Sequence, residues 1–210
     1  MARVLYIQAS PRGERSYSIA GAEAFLEAYR QSHPDDEIVT MNLFDKELPA
    51  FDGLTLQGKY NIMHGNDHSA AELEAWREVE RLIAEFKEAD KYVMAVPMWN
   101  FNIPYRLKQY FDIIVQPTYT FNYSPEAGYT GLVTGRPMFI SLARGGAYPP
   151  GSGFEGYDLQ TTYLKVILGF IGITEISSVI IEPTLMQGPE VARRQRAAAL
   201  VRAREMAASF

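Results

Sequence analysis

Short apolar runs alternate with amphipathic segments along the whole chain, and this alternation restricts the fold more than any single motif does. Val4-Leu5-Tyr6-Ile7 is continuously apolar, as a strand buried on both faces should be. Apolar positions Ala22, Phe25, Leu26 and Tyr29 then mark one side of a helix between Ser18 and Arg30. Ile38-Val39-Thr40-Met41 is a second strand, with the more polar flanks of a sheet edge. Ser69-Ala70-Ala71-Glu72 reads as a capping box, opening a helix with Leu73, Trp76, Val79, Leu82, Ile83 and Phe86 along one side. Tyr92 to Val96 is the most apolar strand and so a central one; Pro97 ends it, and Pro104 suits the first turn of the helix that follows. Met138 to Leu142 and Val179 to Ile181 complete five strands. Between them lies a helix with Leu164, Ile167, Leu168 and Ile171, which Gly172 is placed to cap. A final Ala- and Arg-rich helix starts at Pro189. Five strands alternating with about five helices imply right-handed βαβ crossovers and one parallel sheet covered on both faces.

Two stretches interrupt the pattern. Phe44 to His68 has no clear period and reads as a long functional or packing loop. Tyr119 to Leu132 alternates aromatic and polar residues around Pro125 and Gly128, as a hairpin does. Neither stretch looks like an interdomain linker, so residues 1–210 are expected to form a single domain.

Composition removes several kinds of chemistry. The absence of cysteine excludes disulfides, thiolate nucleophiles and Cys-ligated metals or clusters. The histidines are His33, His64 and His68; the last two sit in a polar, turn-rich stretch that reads as a surface loop rather than a metal pair. A net charge of -5 argues against a nucleic-acid surface. Neither a leader nor a run long enough to span a bilayer is visible, so the expected location is the cytoplasm.

In open α/β sheets, ligands sit beyond the carboxyl ends of the strands. Three such ends carry unusual sequences. After strand one come Ser10, Ser16, Tyr17 and Ser18, at the start of a helix whose free N–H groups and dipole favour an anion. The loop is neither a Walker A motif nor GxGxxG; it suits a single non-bridging phosphate, although Ser16 or Ser18 acting only as a cap explains part of it. After strand three comes Pro97-Met98-Trp99-Asn100-Phe101-Asn102-Ile103-Pro104. Its backbone N–H groups suit the polar edge of a flat heterocycle, Met98 and Trp99 its ring, and Asn102 reads as a helix cap. After strand four comes Arg144-Gly145-Gly146, where paired glycines permit positive φ and close approach, and the arginine suits a charged or carbonyl group.

With these motifs the chain resembles the FMN-dependent NADH-azoreductases, also called FMN-dependent NADH:quinone oxidoreductases, over nearly its whole length. Pro97 to Ile103 is the most specific part. Leu132-Val133-Thr134-Gly135, Arg144-Gly145-Gly146 and Leu168 to Ile173 support it. The resemblance implies a flavodoxin-like fold with a five-stranded parallel sheet in the order 2-1-3-4-5. It implies phosphate contacts from Ser10 and Ser16 to Ser18, and ring contacts from Met98, Trp99, Asn100 and Phe101 and from Arg144, Gly145 and Gly146. It also implies a homodimer with flavin sites at the interface, and a substrate pocket shaped by Phe101, Tyr123 and Phe170, the last from the partner subunit. Ala143 and Trp99 depart from the serine and tyrosine common in the family.

The activity implied is two-electron ping-pong transfer from NADH or NADPH through FMN to quinones or azo compounds, with no protein nucleophile or obligate acid. A flavodoxin-like electron carrier without small-molecule turnover is the alternative, and the 44–68 and 119–132 segments favour an enclosed dimeric site over it. A hydrolase is disfavoured by the absence of G-x-S-x-G and of a histidine at any strand end.

Overall fold

The computed structural model describes all residues 1–210. Its strands are β1 (Arg3–Gln8), β2 (Glu37–Asn42), β3 (Lys91–Pro97), β4 (Phe121–Ser124), β5 (Gly128–Gly131), β6 (Met138–Ala143) and β7 (Ile176–Ile181). Its helices are α1 (Tyr17–Ser32), α2 (Gly53–His64), α3 (Ala70–Lys87), α4 (Tyr105–Ile114), α5 (Leu159–Ile171) and α6 (Gly188–Ala207). Short 3-10 turns lie at Gly13–Arg15 and Glu155–Tyr157.

Five strands form one parallel sheet in the order β2-β1-β3-β6-β7; counting only these strands, that is 2-1-3-4-5. The alternation of side chains along each strand supplies two cores. Val4, Tyr6, Val93, Ala95, Phe139 and Val179 face α1 and α6. Leu5, Ile7, Met94, Val96, Ile140 and Leu142 face α3, α4 and α5. Both faces are therefore dry, which is why the central strands are apolar without interruption.

The remaining strands, β4 and β5, form the antiparallel hairpin expected between Tyr119 and Leu132. Gly131 seats it on the end of α5: a Cβ there would lie 2.2 Å from the Gly172 nitrogen. Gly172 caps α5 in the left-handed region, and the Ser69–Glu72 capping box opens α3, both as expected.

Two expectations require correction. The stretch 44–68 is not one long loop, because Gly53–His64 forms α2, begun by the Asp52 carboxylate on the N–H groups of Leu54 and Thr55 and ended by left-handed Gly65. Only Thr55 and Gly58 of this helix are buried, so it lacks the apolar stripe by which helices are recognised. Asn102 does not cap α4; its Oδ1 accepts from the adjacent Ile103 N–H, and Pro104 occupies the N-cap. No helix is long and apolar enough to cross a membrane.

Candidate flavin site

Ala9 to Ser18 leave the end of β1. Ser16 is the N-cap of α1, its Oγ accepting from Ile19 N–H at 3.4 Å and lying 3.1 Å from Ser18 Oγ. Ser10, Ser16 and Ser18 are all buried. The N–H groups of Tyr17 and Ser18 find no acceptor within the chain, and the first turn of α1 carries no acidic side chain. Ser16 thus caps the helix and still leaves free the N–H groups of Tyr17 and Ser18, which form the positive end of the dipole. That donor set fits a phosphate.

Hydrogen bonds join the three strand-end segments in order and tie the last of them to β7. Ala9 N–H donates to Ala95 O at 2.9 Å, Met98 N–H to Ala143 O at 2.8 Å, and Arg144 N–H to Ile181 O at 3.0 Å. Since β1, β3 and β6 are neighbours, their loops span about 10 Å, two interstrand spacings. The loops that carry Ser10 to Ser18, Met98 to Phe101 and Arg144 to Gly146 therefore leave three adjacent strands at one edge of the sheet, with the unpaired N–H groups of Tyr17 and Ser18 beside them.

The second loop is a tight reversal. Trp99 and Asn102 exchange backbone hydrogen bonds of 2.8 and 2.9 Å, and the two residues between them, Asn100 and Phe101, have φ of 47° and 68°. A two-residue turn with both φ values positive projects its central residues away from the sheet. Asn100 and Phe101 are accordingly exposed, Phe101 to 45%. Trp99 is half-buried between Phe44 and Tyr105, with ring centroids 5.8 and 6.2 Å away. Neither Trp99 nor Phe101 is a core residue.

The third loop differs from expectation in two ways. Neither Gly145 nor Gly146 adopts positive φ. Their bare Cα atoms are needed for packing: a Cβ would meet Leu185 at 3.1 Å from Gly145, and Met186 and Tyr148 at 2.9 Å from Gly146. The Arg144 guanidinium does not reach outward to a charged or carbonyl group. It is buried against Asp158, Glu182 and Gln160. A ligand on this side therefore meets backbone.

An aromatic rim completes the site, and most of it escaped the sequence. Tyr157 lies 5.1 Å from Phe101, Tyr148 approaches Phe101 edge-on at 6.4 Å, and Phe154 lies tilted beyond Tyr157 at 6.3 Å. The available signal was three large aromatics within a Pro- and Gly-rich stretch directly after a strand. Between them, Glu155 has its carboxyl held below the usual range by its own N–H and by those of Gly151 and Gly153.

Tyr123 and Phe170 lie elsewhere in the protomer. Phe170 packs on Phe121 and Tyr129 at 4.6 and 5.4 Å, and Tyr123 on Tyr129 at 5.0 Å. No ring contact links this cluster to Phe101, so the three expected pocket residues do not meet within one copy. No group of three or more side chains suited to a metal ion is present.

A family model described as a flavodoxin-like fold matches residues 2–207. The FMN-dependent NADH:quinone oxidoreductase of Nitratidesulfovibrio vulgaris (strain DP4) is 53% identical over 210 residues, the full length of both chains. That of Desulfotalea psychrophila is 45% identical over 88% of this chain and 87% of its own. The crystal structure of azoreductase from Bacillus anthracis str. Sterne matches the whole of both chains with a TM-score of 0.91 at 33% identity. A second B. anthracis structure, an FMN-dependent NADH-azoreductase in complex with FMN, matches with a TM-score of 0.87 at 30% identity, covering 99% of this chain and all of that one.

Proposed function

Since the chain belongs to the flavodoxin-like family, and within it to the FMN-dependent NADH:quinone oxidoreductases, we propose that it binds FMN and transfers two electrons from NADH to a quinone or azo acceptor. The observation that carries this reading is the meeting of three strand-end loops beside an uncompensated helix N-terminus.

The residues divide the work by position. Ser10, Ser16 and Ser18, with the Tyr17 and Ser18 N–H groups, take the phosphate. Met98 to Phe101 and the Gly145–Gly146 backbone hold the ring; Met98 and Trp99 use their own N–H groups within the protein, and those of Asn100, Phe101, Gly145 and Gly146 offer donors to its polar edge. When bound, FMN supplies the electron transfer itself. Phe101, Tyr148 and Tyr157 shape a flat aromatic slot over which donor and acceptor alternate, and they shield it from bulk water. Because no side chain is required as nucleophile or obligate acid, the protein's contribution is orientation and electrostatics. The working unit is a homodimer, in which Tyr123 and Phe170 of one copy approach the slot of the other. NADH as the donor makes the cytoplasm its place of action.

Purified protein, titrated with FMN and assayed for NADH oxidation with a simple quinone, tests this. Flavin fluorescence should be quenched on binding, and NADH oxidation should require the quinone. Replacing Ser16 and Ser18 together by Ala should weaken FMN binding of the folded protein at least about tenfold, the loss of one or two charge-assisted hydrogen bonds, beside a loss of about 1 kcal/mol in stability from the missing N-cap. Equal FMN affinity in that double variant refutes the phosphate assignment; no quinone-dependent NADH oxidation refutes the activity.

A further inference from the structure

Arg144 is an arginine at the mouth of the site whose charge is used entirely inside the protein. Its side chain is 2% exposed. Nε donates to Gln160 Oε1 at 3.0 Å, Nη1 to Glu182 at 3.2 Å, and Nη2 to Asp158 at 2.9 Å and to the Thr161 hydroxyl. These partners come from separate elements. Asp158 caps α5 through its other oxygen, on Thr161 N–H at 2.9 Å, and Glu182 directly follows β7. Gln160 passes the connection to a third strand, since its Nε2 donates to Val96 O at 3.1 Å. Val96 stands two residues before Met98, where the ring loop begins. The Arg144 backbone carbonyl accepts from both N–H and Oγ1 of Thr184, each at 2.9 Å, fixing the segment that packs on Gly145 and Gly146. On its open side the guanidinium faces the Tyr148 ring at 5.9 Å, and Tyr148 meets Phe101.

Both ring-facing loops thus hang from one buried cation. One guanidinium serves two carboxylates, an amide and a hydroxyl, a divergent set that a lysine's single point charge cannot satisfy. Buried ion pairs are weak stabilisers, because desolvation offsets most of the attraction. A fold needing only stability at this point would do as well with packed apolar side chains. What such a network does supply is a fixed geometry for the groups built upon it.

We propose that Arg144 is a positioning residue. Through Gln160–Val96 and through Tyr148 it holds the Met98–Phe101 turn and the Gly145–Gly146 backbone in the arrangement that receives the flavin ring, without touching the flavin. This rests on the flavin reading above, and it predicts a defect confined to the ring end of the ligand.

Riboflavin, which has the ring of FMN but no phosphate, separates the ends. Full-length apoprotein is titrated with FMN and with riboflavin, following flavin fluorescence and the visible absorption band. Two variants are used, Arg144→Lys, which keeps the charge, and Gln160→Met, which cuts the relay to Val96 and leaves no carboxylate unpaired. Both should lose about tenfold in affinity for each flavin, by the same factor, as expected for one well-placed hydrogen-bond relay, and both should shift the bound flavin's visible band. Ser16→Ala/Ser18→Ala should lose affinity for FMN alone. Should Arg144→Lys not fold, Gln160→Met decides. Wild-type affinity for both flavins in Gln160→Met, or an unshifted band with only a lowered melting temperature, overturns the proposal. Wild-type protein that binds neither flavin overturns the flavin reading itself, and this inference with it.

Discussion

At φ 68°, Phe101 sits in a left-handed region that large aromatic residues seldom enter, beside Asn100 at 47°. The conformation costs about 1–2 kcal/mol for a residue with a Cβ. Little contact inside the fold returns that cost, since the ring is 45% exposed and its neighbours are the rim tyrosines. Strain held at an exposed aromatic points to use of the ring outside the fold. Phe101→Gly should therefore unfold at the same urea midpoint as wild type or a slightly higher one. Relief of strain and glycine's extra unfolded-state entropy, about 0.5–1 kcal/mol, largely cancel. The same variant should bind FMN about tenfold more weakly, for loss of one aromatic contact. Urea denaturation of the apoprotein beside a fluorescence titration measures both; destabilisation beyond about 2 kcal/mol would show that the ring holds the turn rather than the ligand. The sequence marks this loop as a site by its mixture of amides and aromatics. It does not reveal the backbone reversal, because only Asn100 belongs to a type that favours left-handed φ. For Arg144 the sequence shows a charge beside glycines but not its four internal partners, which arrive from positions 14 to 38 residues away.

Among the elements, α1 matters most to the proposed site, since its amino end is the place proposed for the phosphate and its seat on the sheet fixes where that end lies. Gly21 permits the seat. A Cβ there would lie 2.2 Å from Ser141 Oγ, 3.3 Å from Ser141 Cβ and 3.4 Å from Ile181. Ser141 Oγ is itself buried without a hydrogen-bond partner. Gly21→Ala should therefore destabilise, as overpacking by one methyl costs about 1–3 kcal/mol and the gain in helix propensity returns only about 1. Ser141→Ala removes an unpaired hydroxyl and should be neutral or stabilising. In the Ser141→Ala background, Gly21→Ala should lose most of its penalty; a double-mutant cycle on urea midpoints reads this coupling, and strict additivity would refute it. Elements like α1 and the sheet strands were legible because their residues repeat with the period of what they bury: Phe25, Leu26 and Tyr29 along the helix, and unbroken runs in β1, β3 and β6. Helix α2 was not legible for the converse reason. It is set by caps at Asp52 and Gly65 and by close approach of Gly58 to the Glu72 backbone, with almost no apolar face.

Over the whole molecule, two clusters of partly exposed aromatic residues lie at opposite ends of α5. Tyr157 and Phe101 lie near its amino end, and Phe170, with Phe121, Tyr123 and Tyr129, near its carboxyl end, roughly 17 Å along the axis. Tyr123 and Tyr129 are 59% and 67% exposed, a large apolar surface for a hairpin in solution. The two-fold dimer proposed above would bring one copy's carboxyl-end cluster to the other's slot and cover both, making each site composite, with Phe101 and Phe170 from different chains. Subunit mixing tests this more sharply than size alone. Take Phe101→Gly and Phe170→Ala, each expected to lower kcat/KM for a quinone about tenfold or more by loss of one aromatic wall. If sites are composite, every mixed dimer contains one site with both defects and one with none. Random exchange makes about half the dimers mixed, so about one site in four becomes wild type, and activity should rise well above that of either parent when the variants are mixed, unfolded and refolded together. If each site draws both residues from its own chain, mixing produces only singly defective sites and activity stays at the parental average. Sedimentation of the mixture shows whether dimers have formed at all, so that a flat result from dimers counts against the composite site and a monomer counts against the dimer.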